Sequence, residues 1–451
     1  MFRVVPALLL VLSACAPAPV TDLPDRRMPD LPPMKTFTAP RITPPARAND
    51  AIAQDFMDLT FRMESGRRVP RLTRFDEPIT LRVLGSAPPS LRRDLVSLMG
   101  RLRKEADIDI GWAAPDQPAN ITVQARPHAE LQKIVPTAAC FVAPRVSSWA
   151  EYRRKRRSAV VDWTTLERRE TAAIFLPSDV SPQETRDCLH EELAQALGPL
   201  NDLYRLPDSI FNDDNFHTVL TGFDMLILRA YYAPELANGM TAIQVAGRLP
   251  QLLARLNPEG QGRGATPVIA TPRAWIEEME TALGPDTAME RRRAAAARAV
   301  SIARRRDLTD NRLAFSLFAL GRLSLPVDGD AALAAFVAAD RVYAATPGTQ
   351  VQRAHVIMHL AAFSLSVGQA NAALKLINAH LPYAVASENA ALLASMLMIK
   401  AEALDALGRA AEARAVRLDS LGWARYGFGS DDEVRARLDE IAALNLKGDN
   451  R

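Results

Sequence analysis

The chain has 451 residues, 48% of them apolar and 24% charged, with a formal net charge of +3. That length gives two or three domains with ordinary globular cores, and the near-neutral balance leaves no electrostatic footprint for nucleic acid. The sequence has no Walker loop, no dinucleotide fingerprint in strand context and no GxSxG elbow, so no cofactor is implied.

In chain order, residues 1–15 read as a processing signal. Arg3 is the positive region, Val4 to Val11 is apolar, and Leu12, Ser13, Ala14 and Cys15 resemble the bacterial lipobox. The apolar run is too short to span a bilayer. Cleavage before Cys15 and acylation of its thiol would anchor the protein by lipid to a membrane of the cell envelope, facing the periplasm. Ala16, in place of aspartate, resembles lipoproteins sorted to the outer membrane. Residues 16–46 are rich in proline, with Pro17, Pro19, Pro24, Pro29, Pro32, Pro33, Pro40, Pro44 and Pro45. They predict an extended tether that buries too little surface to offset its ordering entropy.

Residues 47–251 form the first predicted domain. Ile79 to Leu84 and Asn120 to Ala125 alternate as strands, Pro89 to Ala106 has helical periodicity, and Ala172 to Leu176 reads as a buried edge strand. The basic run Arg153 to Arg157 reads as a solvated hairpin tip. With Cys15 acylated in an oxidising compartment, Cys140 and Cys188 are the cysteines left to pair as a disulfide. A loop of that length stabilises a fold by about 4 kcal/mol on the chain-entropy estimate.

The most informative stretch is Cys188 to Asp202, CLHEELAQALGPLND. Ser181 as N-cap, Pro182 at the first helical position and Glu184 closing a capping box predict the start of a helix. Gly198 predicts a left-handed stop and Pro199 prevents continuation. Leu189, Leu193, Ala196 and Leu197 fall on one side of that helix, and Cys188, Glu191, Glu192 and Gln195 on another.

The spacing resembles the metzincin zinc peptidases, HExxHxxGxxH, with EExxQxxGxxN here. Glu192 stands at the general-base position, and Glu191, Gln195 and Asn201 stand where the family has its zinc histidines. His190 projects away from that side and is a poor substitute ligand. Downstream, Ser209, Ile210, Phe211 and Asn212 resemble the methionine turn of that superfamily with Phe211 in place of methionine. The stretch from Leu220, LTGFDMLILRAYY, resembles its last helix, with Thr221 and Asp224 as a capping signature. The run as far as Met240 also resembles a family of proteobacterial lipoproteins of unknown function. The resemblance implies a zincin-like fold and envelope location, with the metal chemistry erased.

Residues 252–270, with Gly260, Gly262 and Gly264, read as a linker or mobile loop. Residues 271–451 are alanine-rich and helical, and Gly321, Gly368 and Gly408 each close an apolar helix, a pattern similar to tetratricopeptide hairpins; a plain helical bundle is the alternative. His355 and His359 have helical metal-ligand spacing but no third ligand. WARYGFG, from Trp423 to Gly429, is expected to cap the last repeat.

The expected fold is thus an α+β zincin-like domain followed by an all-α helical-repeat domain. Two functions fit it. One is a non-catalytic envelope scaffold that binds a protein or peptide partner through the repeats. The other is a periplasmic hydrolase using Glu192 without metal, or Glu191, Glu192, Gln195 and Asp202 around calcium or manganese.

Overall fold

A computed structural model describes residues 31–37, 43–45, 47–76, 78–136, 138–264, 268–284 and 287–444. Cys15 and the leader lie outside them. The first part runs α1 (Asn49–Thr60), β1 (Ile79–Leu84), α2 (Pro89–Glu105), β2 (Ile110–Trp112), β3 (Ile121–Arg126), α3 (His128–Gln132), β4 (Phe141–Pro144) and α4 (Trp149–Lys155). It continues through β5 (Ala172–Pro177), α5 (Pro182–Leu197), α6 (Gly222–Tyr231) and α7 (Ala242–Leu256).

The five strands form one sheet in the order β2-β1-β3-β5-β4, parallel except for β4 against β5. The sequence predicts β5 at an edge, but β5 pairs on both sides, with Val123 and Val142 both opposite Ile174. Its period of two explains the burial of every residue. Ala172, Ile174 and Leu176 join the core under α2 and α5, while Ala173 and Phe175 join a smaller cluster with Leu131 of α3 and Trp149 of α4. The true edge, β4, is short and ends in proline, so it carries little strand signal. The basic run is the end of a helix rather than a hairpin tip: Arg153, Arg154 and Lys155 occupy the last turn of α4, where the helix dipole favours cations.

The second part is α8 (Arg273–Leu283), α9 (Met289–Arg305), α10 (Asn311–Ser324), α11 (Gly329–Ala345), α12 (Gln350–Ser366), α13 (Ala370–Ala386), α14 (Ala390–Ala406), α15 (Ala410–Gly427) and α16 (Asp431–Ala442). Successive pairs share one apolar core, to which Tyr204 and Phe216 of the first part also belong. Gly368 and Gly408 close α12 and α14 with φ of 78° and 73°, as the repeat pattern requires. Gly321 does not end its helix; it lies inside α10, where a Cβ would come within 2.8 Å of the Phe336 ring. WARYGFG is not terminal either, because α16 follows it. Tyr426 instead donates to Asp94 Oδ2 of α2 at 2.9 Å and ties the array to the first part.

The linker is partly packed: a Cβ on Gly260 would strike Asn49 and Asn257, whose amides hydrogen-bond each other. Residues 31–37 of the proline-rich segment are packed as well. Leu31 and Phe37 lie against the core of the array, and Lys35 N–H donates to Gly422 O at 2.9 Å. Among the described residues no helix is long and apolar enough to cross a membrane.

Candidate functional site

The predicted motif helix is α5. Ser181 Oγ accepts from Glu184 N–H at 3.1 Å and Pro182 opens the helix, but the reciprocal bond of a capping box is not made. Gly198 ends it without a left-handed turn, at φ −158°. The glycine also leaves room for packing, since a Cβ would lie 3.1 Å from the Tyr231 ring. The carbonyls at this end are closed by Arg169, a buried guanidinium that donates to Gln195 O, Ala196 O and Gly198 O and stacks over Trp163. A cation there also complements the helix dipole. Nothing in the local sequence singles out Arg169, because its partners are backbone atoms of a distant segment.

Leu189, Leu193, Ala196 and Leu197 are fully buried, as the periodicity predicts. The polar side is buried too, with Glu192 only 3% and Gln195 only 8% exposed. The disulfide Cys140–Cys188, with a Cα–Cα distance of 5.9 Å, ties the segment entering β4 to α5. The backbone of Val142 on β4 faces the Glu192 carboxyl and is the contact favouring its charged form.

The positions aligned with zinc ligands have other partners. Asn201 Nδ2 donates to Asp58 O at 2.9 Å, and Gln195 Nε2 to Asp202 Oδ2 at 3.3 Å. His190, also buried, accepts from Leu220 N–H through Nδ1 at 3.1 Å. Burial holds its pKa well below the usual range, so it is neutral. Among the described residues, the group with metal-ligand spacing is Cys140, Glu191 and Glu192, and Cys140 has no thiolate to offer because it is disulfide-bonded. Two carboxylates, two carboxamides engaged in internal hydrogen bonds and a disulfide sulfur do not make a zinc site, which takes thiolate, imidazole or carboxylate in a tetrahedron.

Residues 49–251 match the model of a family described as a protein of unknown function (DUF2927). A DUF2927 domain spans these residues. No curated protein and no solved structure matches the chain.

Around α5 the DUF2927 domain adds Glu64 and Asp213 to the carboxyls of Glu191, Glu192 and Asp202 that the sequence groups. Glu191 lies within electrostatic reach of Asp213 and Glu64, and Asp202 within reach of Asp213, Glu64 and Glu191. Burial first, then mutual repulsion, pushes Glu191 up to about 8 and Asp213 up to about 7. Glu192 and Asp202 are raised well above the carboxylate range by the same causes. Glu192 Oε2 and Asp202 Oδ1 are buried without a hydrogen-bond partner. The acidic pair in SIFNDD was the available signal for Asp213, and its proximity to Glu191 depends on the turn at Phe211.

That turn is fixed by contacts with α6. Phe211 is fully buried, Ser209 Oγ donates to Asp224 Oδ1, and Ile210 N–H donates to Asp224 Oδ2 at 3.1 Å. Thr221 and Asp224 form a complete capping box on α6. Beside the carboxyls opens a cleft of about 880 Å³ whose walls include Glu64, Asn201, Asp202, Tyr204, Arg205 and Arg273. Glu191, Glu192 and Gln195 are not among its walls.

The other end of α5 meets the helical array. Gln183 Oε1 accepts from Ala391 N–H at 3.0 Å and Arg186 Nη1 donates to Glu388 Oε2 at 3.1 Å. His355 and His359 sit among aromatic rings, His359 stacked on Phe336 at 4.6 Å and His355 edge-on to Phe216 at 4.9 Å. Desolvation pushes both down to about 3, so they are neutral packing groups.

Proposed function

We propose that the protein is a non-catalytic cell-envelope lipoprotein, anchored by acylated Cys15 in the outer membrane and facing the periplasm. Its zincin-like domain serves as a scaffold, and its helical array binds a protein or peptide partner. The observation that supports this most directly is the position of Glu192. The residue aligned with a general base is buried against β4 at 3% exposure and is not a wall of the neighbouring cleft. A base must reach the proton it abstracts, directly or through one water. The amides of Gln195 and Asn201 are committed to internal bonds, and α5 joins the sheet, the disulfide and the array at once.

The cleft beside Glu64 and Asp202 favours a second reading, a hydrolase working through unequal carboxyls. Metal content and peptide hydrolysis, measured on the chain from Ala16 onward and on its Glu192→Ala and Asp202→Asn variants, separate the two. The scaffold reading expects no stoichiometric metal, and no hydrolysis that either variant abolishes. Metal or turnover lost in either variant would replace it with the hydrolase reading.

A further inference from the structure

Residues 32–37 of the predicted tether lie along α15 as a bound peptide would. Arg425 Nη1 donates to Pro32 O at 3.1 Å, and Lys35 N–H donates to Gly422 O at 2.9 Å. The Lys35 ammonium pairs with Asp419 and lies 5.7 Å from the centre of the Trp423 ring. Phe37 stacks on Trp423 with ring centres 4.6 Å apart, and the Arg186 guanidinium of α5 covers it at 5.4 Å. Gly422 leaves the space the segment fills, since a Cβ there would lie 2.9 Å from Lys35 Cγ and 3.3 Å from Pro33 O. Met34, the residue between, faces a cavity of about 500 Å³ that also touches Pro88, Pro182 and Glu433.

These are the parts of an extended-peptide site: an aromatic platform, donors and acceptors for the peptide backbone, an acid for a cation, and a glycine where the chains meet. Proline-rich segments suit such a groove because they are extended before they bind and lose little entropy on docking.

We propose that the α15 groove is a recognition site for an extended segment of the pattern Pro-Pro-x-Lys-x-aromatic. It is filled in cis by residues 32–37 and accepts such a segment from a partner protein when the cis segment leaves. The proposal names the partner chemistry of the array and rests on the scaffold reading for its biological sense. Its test is separate, since activity at Glu192 would overturn that reading and leave the groove untouched. A tethered segment competes at an effective concentration on the order of millimolar, so a free peptide binds the unaltered chain weakly.

The test is fluorescence anisotropy with a labelled peptide of residues 30–38, DLPPMKTFT, titrated into the chain from Ala16 onward. Lys35→Glu with Phe37→Ala empties the groove and is expected to tighten peptide binding at least tenfold. Adding Trp423→Ala and Asp419→Ala is expected to abolish it, and a scrambled peptide is expected not to bind. Equal binding to the unaltered and emptied chains, or binding indifferent to Trp423 and Asp419, would overturn the proposal. Phe37→Ala alone gives the same comparison if the double variant does not fold.

Discussion

Arg186 of α5 donates through both Nη atoms to Glu388, one to its carboxylate and one to its backbone carbonyl. Arg186 is 6% and Glu388 is 9% exposed, so this is a buried ion pair between the DUF2927 domain and the turn from α13 to α14. Removing one partner leaves the other charge desolvated and unpaired. Arg186→Ala is therefore expected to destabilise the protein by about 3–5 kcal/mol in denaturant melts. A double-mutant cycle with Glu388→Gln is expected to return a coupling of about 0.5–3 kcal/mol. Additive losses would mean that the two parts are held together elsewhere.

Arg169 is the second buried cation whose loss is predictable. Arg169→Met keeps much of the volume over Trp163 but leaves the carbonyls of Gln195, Ala196 and Gly198 without its donors. Each buried acceptor stripped of a partner costs about 1–3 kcal/mol. Chemical melts are expected to show a loss of that order or more, and hydrogen exchange to rise first in the last turn of α5.

The carboxyl cluster makes stability depend on pH in a direction opposite to the common one. Glu191 and Asp213, at about 8 and about 7 in the fold, are raised above the ordinary carboxylate range. Their contribution is fully present below pH 4 and is lost as pH rises through the folded values. His355 and His359, lowered to about 3, act with the other sign and cost stability as pH falls below about 6.5. In the unfolded chain these histidines are half protonated at about pH 6.5 and neutral only by about pH 7.5, so between about pH 7 and 8 they add little and Glu191, still largely protonated in the fold, dominates. Stability is expected to fall there by on the order of 1 kcal/mol per pH unit from Glu191. Glu191→Gln is expected to flatten the slope, and a thermal-melt series across that interval checks it.

Gly427 tests the packing of the last helices. A Cβ there would lie 2.5 Å from Ala391 N and 2.6 Å from its Cα, contacts with backbone that cannot rotate away. Gly427→Ala, though favourable for an isolated helix, is expected to destabilise by about 1–3 kcal/mol through overpacking. Gly408→Ala has no such contact and is penalised through its φ of 73° alone. Comparing the two melts separates crowding from backbone strain.

Local rules carried the reading far where the cause was local. Ser181 and Pro182 opened α5, Thr221 and Asp224 capped α6, and Gly368 and Gly408 closed helices, because each acts within a turn of itself. The alternation of residues 79–84 and the buried stripe of Leu189, Leu193, Ala196 and Leu197 were legible for the same reason.

Glycines answer to neighbours as well as to their own turn. Gly321 looks like a helix stop in sequence but lies inside α10 against the Phe336 ring, whereas Gly198 does end α5, at φ −158° rather than left-handed and with the Tyr231 ring 3.1 Å from where a Cβ would sit. The stretch EExxQxxGxxN by itself determined that no imidazole stands at Glu191, Gln195 or Asn201, since side-chain identity fixes which atoms can coordinate. Only the tertiary structure decided what these side chains do. Burial against β4, the carbonyl of Asp58 taken by Asn201 and the approach of Asp213 and Glu64 to Glu191 depend on chain crossings that composition and periodicity do not encode. The tether shows the same division. Its prolines determined an extended backbone, while the groove of Asp419, Gly422, Trp423 and Arg425, nearly four hundred residues away in sequence, decided that this backbone would be bound.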